Sequence, residues 1–357
     1  MRIVVDARHL AYNRGVARYA RCMLQALAER HPDDEWIAFV PGASRIPPVH
    51  ERVVVVGHPL PGRLLYGAAA LTGRPAVDRL AGGADVVWAP APAPLAVSPR
   101  VPLVLTVHDL SWERRRDDFT AYERVWHRLA DARALARRAT AVVVDGDAVA
   151  AEVATAWPEV AGRLRVVVPG LGLDVRESEV PAPHPVAPDR YLLYVGALEP
   201  RKGIDVLARA FAAARRRGLD ADLAVVGSGR MDGALDGAGI HLLGTVGDHE
   251  LDALYAGALA LVLPSWLEGF GMPPLEAAAR GTPSVVSDLP ALAESIGDGA
   301  LRVPPGDERA WADALVRVAS DPDLRARLAI AGGATAARYD WGVAADRLRA
   351  VLAEATG

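Results

Sequence analysis

The feature that most constrains this chain is the alternation of short, continuously apolar runs with longer Ala-, Leu- and Arg-rich segments of helical periodicity. In the first half, the apolar runs are residues 3–5, 36–40, 52–56, 85–88, 103–107, 141–144 and 165–168. Continuous apolar runs are typical of parallel strands that are buried on both faces. Helical segments such as 16–29 and 122–139 separate several of them. The pattern therefore predicts a doubly wound α/β domain.

The alternation stops at a proline-rich segment and then begins again. Residues 169–190 contain five prolines and have no apolar periodicity, which is typical of a linker. The later apolar runs are residues 191–195, 221–226, 240–243, 258–263, 284–287 and 300–303. We therefore predict two parallel-sheet domains, 1–170 and 191–340, joined by a linker at 171–190. Because open α/β sheets bind ligands beyond the carboxyl ends of their strands, we expect the site in a cleft between the domains.

Composition excludes several classes of protein. The net charge of −4 gives no overall indication of nucleic-acid binding. The single cysteine, Cys22, excludes a framework of internal disulfides and fits a reducing compartment. The first residues are interpreted as a strand rather than a secretory leader, and no apolar stretch approaches the roughly 20 residues of a membrane span. We expect a cytoplasmic protein, a monomer or weak dimer, with no nucleic acid as a partner.

One lysine stands out in a chain rich in arginine. Lys202 is the only lysine among 40 Lys and Arg residues, and it lies in the segment GALEPRKGIDVL at 196–207. This segment joins a predicted strand to a predicted helix, where backbone N–H groups and the helix dipole favour an anion. Arg201 and Lys202 would add charge-assisted hydrogen bonds to two phosphate oxygens. For these two residues considered alone, a solvated surface pair is the alternative.

The strongest signal is the segment PSWLEGFGMPPLE at 264–276. Gly269 and Gly271 flank Phe270 in a loop after a predicted strand, where glycines let backbone amides approach a ligand closely. Two prolines mark the start of a helix. Glu268 in the loop and Glu276 on the first turn of that helix could accept hydrogen bonds from sugar hydroxyls and from a ribose diol. Taken singly, each glutamate is better explained as a turn or helix-terminus residue, but the full spacing favours a binding site.

The segment EGFGMPPLEAAARGTPSVVSD resembles the donor signature of retaining nucleotide-sugar glycosyltransferases of the GT-B fold, family 4, with its E-x7-E element. The resemblance extends over YVGALEPRKGIDVLARAF, LAVVGSGR, HLLGTV and VHDL, and so covers nearly the whole chain. It implies two Rossmann-like domains, with the last helix, 341–357, returning to the first. It also implies a nucleoside-diphosphate sugar as donor, either GDP-mannose-like or a UDP-sugar.

The resemblance implies a role for each matching residue of the second domain. Glu268 would bind the hydroxyls of the donor sugar, helped by the backbone amides of Gly269, Phe270 and Gly271. Arg201 and Lys202 would hold the diphosphate and stabilise the leaving nucleoside diphosphate, where charge develops. The implied donor site further includes Glu276 on the ribose, main-chain groups of Thr245 and Val246 at the base, and Gly196 and Leu275.

Three residues of the first domain are also candidates. Gly15 lies in YNRGVARY, which resembles the glycine loop of the family, but Ala17 replaces the second glycine, and an ordinary strand-to-helix turn is the alternative. His108 and Asp109 follow a strongly apolar strand in TVHDLSW. The resemblance places His108 by the donor sugar, where it could bond hydroxyls or shuttle a proton. Helix capping is the alternative for Asp109.

Three further segments receive other interpretations. Asp145-Gly-Asp147 stands where the family has a small hydroxyl residue, and helix capping is favoured over contact with the acceptor. Gly227-Ser-Gly229 lacks the third glycine of a dinucleotide site and is interpreted as a phosphate-side or structural turn rather than an NAD site. Residues 112–138 combine eight arginines and several aromatic residues with five acids, so a solvated helix face is favoured over weak peripheral contact with a membrane.

The leading hypothesis is a retaining glycosyltransferase that moves a sugar to an acceptor hydroxyl on a glycan, a lipid-linked glycan or a small molecule. Its candidate catalytic residues are His108, Asp109 and Glu268. Because the Arg201–Lys202 pair can replace a metal on the diphosphate, we expect no metal and no other cofactor. Retention, with the leaving phosphate accepting the proton of the acceptor, follows from the resemblance alone. The alternatives are a nucleotide-sugar epimerase and a nucleotide-sugar-binding protein without turnover.

Overall fold

The computed structural model describes residues 1–11, 15–42, 46–172 and 185–357. It divides into two compact units. The first comprises Met1–Gly170 and Asp340–Gly357, and the second comprises Leu171–Tyr339. Most of the predicted linker and residues 12–14 of the predicted glycine loop lie outside the described residues.

The first unit is built on a parallel sheet. Its strands are β1 (Arg2–Asp6), β2 (Glu35–Pro41), β3 (Val53–His58), β4 (Val86–Ala89), β5 (Leu103–Val107), β6 (Ala141–Val144) and β7 (Leu164–Val166). Within the described residues they pair in the order β3-β2-β1-β4-β5-β6-β7, every pair parallel. Ile3 and Val5 pack into the core on one face of the sheet and Val4 into the core on the other. Burial on both faces explains why the strands read as unbroken apolar runs.

Helices cover both faces of this sheet. They are α1 (Gly15–Arg30), α2 (Gly62–Thr72), α3 (Val77–Leu80), α4 (Ser111–Arg114), α5 (Ala121–Ala130), α6 (Ala132–Arg138) and α7 (Asp147–Ala156). The single helix predicted over 122–139 is in fact two. Asp131 has a φ of 37°, and its side chain accepts a hydrogen bond from Ala134 N at 3.1 Å. It therefore ends α5 and caps α6.

The second unit repeats the architecture. Its strands are β8 (Tyr191–Val195), β9 (Asp222–Val226), β10 (Ile240–Gly244), β11 (Ala260–Leu263), β12 (Ser284–Ser287) and β13 (Ala300–Val303). Its helices are α8 (Ile204–Arg216), α9 (Asp248–Gly257), α10 (Met272–Ala279), α11 (Pro290–Ile296), α12 (Glu308–Ser320) and α13 (Pro322–Ala336). In the part of the chain that is described, the strands form a parallel sheet in the order β10-β9-β8-β11-β12-β13.

The last helix, α14 (Trp341–Thr356), belongs to the first unit. Ala345 and Leu348 of this helix pack into the same core as Met23 and Leu27 of α1. Arg349 adds an ion pair, with its Nε atom 3.0 Å from Asp34 Oδ2. None of the described helices combines the length and the hydrophobicity that crossing a bilayer requires.

Both sheets change direction at one point in their strand order. In the first unit the reversal lies between β1 and β4, and in the second it lies between β8 and β11. In doubly wound folds, the loops that leave the carboxyl ends of the strands at this point form the ligand site. The predicted doubly wound α/β class is confirmed, and the topology directs attention to the segments after β8 and β11 and after β1, β4 and β5.

Candidate functional site

Two loops leave the neighbouring strands β8 and β11 of the second unit. The first contains a 3-10 turn at Pro200–Lys202 and leads into α8, and the second leads into α10. Trp266 N donates to Arg201 O at 2.9 Å, which joins the loops through their backbones. Gly203 has a φ of +67°, and a Cβ atom there would overlap the carbonyl oxygen of Pro264. Glycine at this position therefore permits the close approach of the two loops.

The approach of the loops brings Lys202 and Glu268 together. Lys202 Nζ donates to Glu268 Oε1 at 2.5 Å, and Ser265 Oγ donates to the same oxygen at 2.6 Å. The side chains of Lys202 and Glu268 are 14% and 10% exposed. The partly buried setting strengthens the interaction relative to a surface ion pair. The predicted phosphate-binding cation and the predicted sugar-binding carboxylate are thus direct neighbours.

Arg201 lies beside a different carboxylate. Its Nε atom donates to Glu199 Oε2 at 2.9 Å, and both side chains are 20% exposed. The guanidinium of Arg201 is a planar fork of five donors, a geometry that suits carboxylate and phosphate anions. The two cations of the segment are therefore each oriented by an acid.

The turn at Gly227-Ser-Gly229 packs against the backbone of the loop that follows β8. A Cβ atom on Gly227 would overlap the carbonyl oxygen of Gly196, and one on Gly229 would overlap that of Leu198. Leu198 N donates to Ser228 O at 3.1 Å. The absence of side chains lets the turn pack against the backbone of the Gly196 loop. This arrangement agrees with the interpretation of the segment as a turn.

Glu276 is buried beneath the second loop. It lies on the second turn of α10, not the first as predicted, because the helix begins at Met272. Glu276 is 3% exposed, and its Oε2 atom accepts a hydrogen bond from Tyr255 Oη at 2.7 Å. A buried carboxylate needs such bonds to offset the loss of water. Tyr255 of α9 therefore fixes the orientation of the predicted ribose-binding group.

Apolar residues hold the rest of the second loop in place. Phe270 is buried and packs edge-on against Tyr339, with 5.5 Å between the ring centroids. Gly271 has a φ of +86°, and a Cβ atom there would overlap the side chain of Leu292. Leu275 is buried in α10. Gly269, also buried, completes the predicted glycine-flanked loop.

The predicted base-binding residues, Thr245 and Val246, lie farther along the same edge of the sheet. They follow β10, and Thr245 is exposed whereas Val246 is half-buried. The edge strand β10 is two strands away from β8. Two strand spacings are about 10 Å, which is comparable to the length of a nucleotide between its base and its phosphates.

In the first unit, His108 is fixed through both ring nitrogens. Its Nδ1 atom lies 2.6 Å from Asp145 Oδ2, and its Nε2 atom lies 2.9 Å from Pro90 O. Because both partners accept hydrogen bonds, both nitrogens donate, and the ring is held as an imidazolium. Burial lowers the pKa of His108, but the charge and hydrogen bond of Asp145 outweigh it, so the pKa is raised above its usual value.

The structure gives other partners to the remaining predicted residues of this unit. Asp145 bonds to His108 and does not cap a helix: α7 begins after Gly146, with no side-chain cap. Asp109 Oδ1 accepts a hydrogen bond from Ser111 N at 2.8 Å in the turn before α4, whose N-cap is Leu110, so Asp109 does not play the helix-capping role that was its alternative. Gly15 is the first residue of α1. Across the described ranges, no group of three or more His, Cys, Asp and Glu side chains is placed to bind a metal ion.

Two sequence families match the chain in consecutive segments. "Glycosyltransferase Family 4" matches residues 13–175, and "Glycosyl transferases group 1" matches residues 189–321. The chain belongs to glycosyltransferase family 4. Each unit of this family 4 protein is thus matched by its own family description.

Named relatives agree with this assignment over part of their length. The O-antigen chain mannosyltransferase RfbU of Salmonella typhimurium is 36% identical over 43% of this chain and 44% of its own. A D-inositol 3-phosphate glycosyltransferase of Saccharomonospora viridis is 33% identical over 60% of this chain and 55% of its own. The chain therefore aligns with about half the length of the relatives that it matches.

Solved structures extend the similarity to the whole fold. A sucrose-phosphate synthase from Thermosynechococcus elongatus superposes with a TM-score of 0.77 at 20% identity, covering 99% of this chain and 98% of the other. HepE of Anabaena, solved with UDP and glucose, superposes with a TM-score of 0.68 at 20% identity, covering 99% and 100%. The GT-B architecture of two Rossmann-like units, predicted from the sequence, is confirmed.

Four side chains around the candidate site were not identified from the sequence. Ser265 and Glu199 lie within three residues of predicted site residues, so the local sequence could have indicated them. Tyr255 and the pairing of Asp145 with His108 depend on contacts over 21 and 37 residues of chain. These two relationships arise from the order of the strands and helices, which no short motif contains.

Proposed function

We propose that this family 4 protein transfers a sugar from a nucleoside-diphosphate sugar to an acceptor hydroxyl, with retention of configuration. The observation that carries the proposal is the contact between Lys202 and Glu268 at the carboxyl ends of β8 and β11. A cation for the diphosphate and a carboxylate for sugar hydroxyls must be neighbours in such a donor, because its sugar is attached to the terminal phosphate. Two segments predicted separately meet that requirement.

The donor would be held from sugar to base along one edge of the second sheet. Glu268 would bind the hydroxyls of the sugar, and Lys202 and Arg201 would bind the diphosphate. One N–H bond of the Lys202 ammonium points to Glu268, and the others would reach phosphate oxygens. Glu276, oriented by Tyr255, would bind the ribose, and the backbone at Thr245 and Val246 would contact the base.

Lys202 and Arg201 would also perform the electrostatic part of catalysis. As the bond between the anomeric carbon and the phosphate oxygen breaks, negative charge grows on the leaving nucleoside diphosphate. Fixed cations stabilise that charge most where little water is present. With two cations at this point, the proposal requires no metal ion.

Retention requires the new bond to form on the face from which the leaving group departs. The acceptor oxygen would bond to the anomeric carbon as the bond from that carbon to the phosphate oxygen breaks. The proton of the acceptor hydroxyl would pass to the leaving phosphate oxygen. This balances the transfer without a base supplied by the protein.

Two classes of donor are proposed. Similarity to mannosyltransferases favours GDP-mannose, and similarity in fold to a protein solved with UDP and glucose favours a UDP-sugar. A panel of nucleotide sugars with methyl α-mannoside, D-inositol 3-phosphate or phosphatidylinositol as acceptor would test both. We expect equal release of nucleoside diphosphate and glycosylated acceptor from one donor, undiminished by EDTA, and strongly reduced activity in Glu268→Gln.

Other products would identify the alternatives. Interconversion of the nucleotide sugar without release of nucleoside diphosphate would show an epimerase. Binding of a nucleotide sugar without any product would show a binding protein. Activity that is abolished by EDTA and restored by a divalent cation would contradict the metal-independent mechanism.

We also propose weak contact between the first unit and anionic lipid. Its α2 and α5 carry exposed apolar side chains at helical spacing, which are Leu64, Leu71, Tyr122, Val125 and Leu129. The Cζ atom of Arg63 on α2 lies 5.3 Å from the ring centroid of Tyr122 on α5, which joins the two sets. Exposed arginines at 63, 74, 124 and 128 border them and would attract a negatively charged surface.

Vesicle sedimentation tests this contact. We expect binding to vesicles of phosphatidylglycerol, weaker binding in high salt, and none to phosphatidylcholine. Val125→Glu should reduce binding severalfold. Ile330→Glu is the control, because Ile330 is 76% exposed on α13 of the other unit. Equal reduction by both variants, or equal binding to both lipids, would contradict the proposal.

A further inference from the structure

Three buried polar atoms near His108 lack a hydrogen-bond partner among the residues that the structure describes. They are Nε2 of His9, Oδ1 of Asp145 and Oη of Tyr19, whose ring centroid lies 4.6 Å from that of His108. Asp145 is only 4% exposed, and its other oxygen binds His108. Buried polar atoms in proteins are nearly always paired, with protein, water or ligand. Three unpaired atoms in one region therefore indicate that something else binds there.

His9 and Asp145 both lie at the edge of the sheet where ligands bind in folds of this topology. His9 lies three residues beyond the end of β1, and Asp145 directly follows β6. His108 lies between them at the end of β5, and its neighbour Pro90 follows β4. The carboxyl ends of parallel strands share one edge of the sheet, so the four residues belong to one region of the first unit.

Because of the contacts described above, His108 has no free ring nitrogen with which to bind a ligand. Each of its ring nitrogens already donates to an acceptor, one on Asp145 and one on Pro90. A contact between its ring and a sugar would require one of these bonds to break. The available imidazole nitrogen in this region is instead on His9.

The surroundings of His9 keep its ring neutral. Burial lowers the pKa of His9 well below its usual value, and the charges of Arg8 and His108 lower it further. The Arg8 side chain is fixed in turn: it pairs with Asp6 and donates from Nη2 to Pro92 O at 2.9 Å. A neutral imidazole has one nitrogen that accepts and one that donates, so Nε2 can bind a hydroxyl in either tautomer.

We propose that His9 Nε2 and Asp145 Oδ1 bind hydroxyl groups of a pyranose or cyclitol ring. The carboxylate oxygen accepts from one hydroxyl, and the imidazole nitrogen accepts from or donates to a second. The inference rests on the proposed function for its substrate class. The ring would come either from the sugar of the donor or from the acceptor, because the two share this chemistry.

Two variants of His9 separate hydrogen bonding from packing. Phenylalanine in His9→Phe keeps a ring of similar size without nitrogen, and glutamine in His9→Gln places an amide near the position of Nε2. His50→Phe is the matched control, because His50 precedes the amino end of β3, at the opposite edge of the same sheet. Thermal unfolding of each variant shows whether it is folded.

Binding measurements distinguish the two sources of the ring. If the donor supplies it, His9→Phe should bind the nucleotide sugar about tenfold more weakly, yet bind the nucleoside diphosphate as the parent does. If the acceptor supplies it, the variant should bind the nucleotide sugar normally but raise KM for methyl α-mannoside or D-inositol 3-phosphate about tenfold. In either case His9→Gln should recover most of the lost affinity or most of the increase in KM, and His50→Phe should have the same affinity and KM as the parent.

The inference is overturned if folded His9→Phe and Asp145→Asn both leave the nucleotide-sugar affinity and the KM for the acceptor unchanged, since the two atoms then bind only water. This failure differs from failure of the proposed function. If the parent protein binds no nucleoside diphosphate at all, the donor site of the second unit is wrong. If the parent binds and transfers while the His9 and Asp145 variants do the same, only this hydroxyl-binding site is wrong.

Discussion

Lys202 Nζ and Glu268 Oε1 lie 2.5 Å apart, although 66 residues separate them in the chain. Ser265 donates to the same carboxylate oxygen, so Glu268 is held by a cation and a hydroxyl together. A bound diphosphate would share the ammonium with Glu268 rather than replace it, because an ammonium has three donors. The lone lysine would thereby link recognition of the sugar to recognition of the phosphates.

Removal of Lys202 should weaken binding of the donor nucleotide. A hydrogen bond to a charged group contributes about 1.5–3 kcal/mol, so we expect Lys202→Ala to bind UDP or GDP about 10- to 150-fold more weakly. Isothermal titration calorimetry measures this directly. The control is Arg209→Ala, which removes a half-exposed cation from α8 of the same unit and should change affinity little. Equal affinities of the parent and Lys202→Ala would show that the lysine does not bind the diphosphate.

Substitution of Gly203 should destabilise the second unit more than its backbone conformation alone explains. Gly203 and Gly244 have φ angles of +67° and +69°, but a Cβ atom overlaps Pro264 O only at Gly203, whereas the space around Gly244 is open. Gly244→Ala should cost roughly 1–2 kcal/mol, the penalty for a left-handed alanine. Gly203→Ala should lower the free energy of unfolding by more, because its Cβ atom would also overlap Pro264 O. Urea unfolding measures both, and equal costs would show that the two loops separate easily.

Much of the fold and part of the site could be predicted from local sequence. Buried parallel strands give unbroken apolar runs, and a glycine-flanked loop before two prolines marks the donor segment at 264–276. Contacts across the chain were not predictable in this way. Asp131 looks like any polar residue on a helix surface, yet its positive φ divides α5 from α6. The pairing of Asp145 with His108 exists because β5 and β6 are adjacent and parallel.

Tyr255 should matter for nucleotides that carry a ribose diol. Its hydroxyl donates to Glu276 Oε2 at 2.7 Å, and Tyr255→Phe removes that bond while it keeps the buried ring. Since a typical hydrogen bond contributes about 1 kcal/mol, we expect affinity for UDP or GDP to fall about fivefold. The matching 2′,3′-dideoxynucleotide lacks the diol and should bind the parent and the variant equally well. The same loss for both nucleotides would indicate a general structural effect instead.

The stability contributed by His108 should depend on pH. The pKa of His108 is raised in the folded protein, so its stabilising contribution is complete below its unfolded pKa and is lost as pH rises through the folded value. Asp145→Asn removes the largest interaction that raises this pKa, whereas burial, which lowers it, remains alongside the smaller raising effects of Asp109 and Pro90 O. The variant should therefore be less stable than the parent by a larger margin at pH 5.5 than at pH 9. Urea unfolding at both pH values measures the two margins. An equal margin for Asp145→Asn at both pH values would show that the His108 ring is not held as an imidazolium.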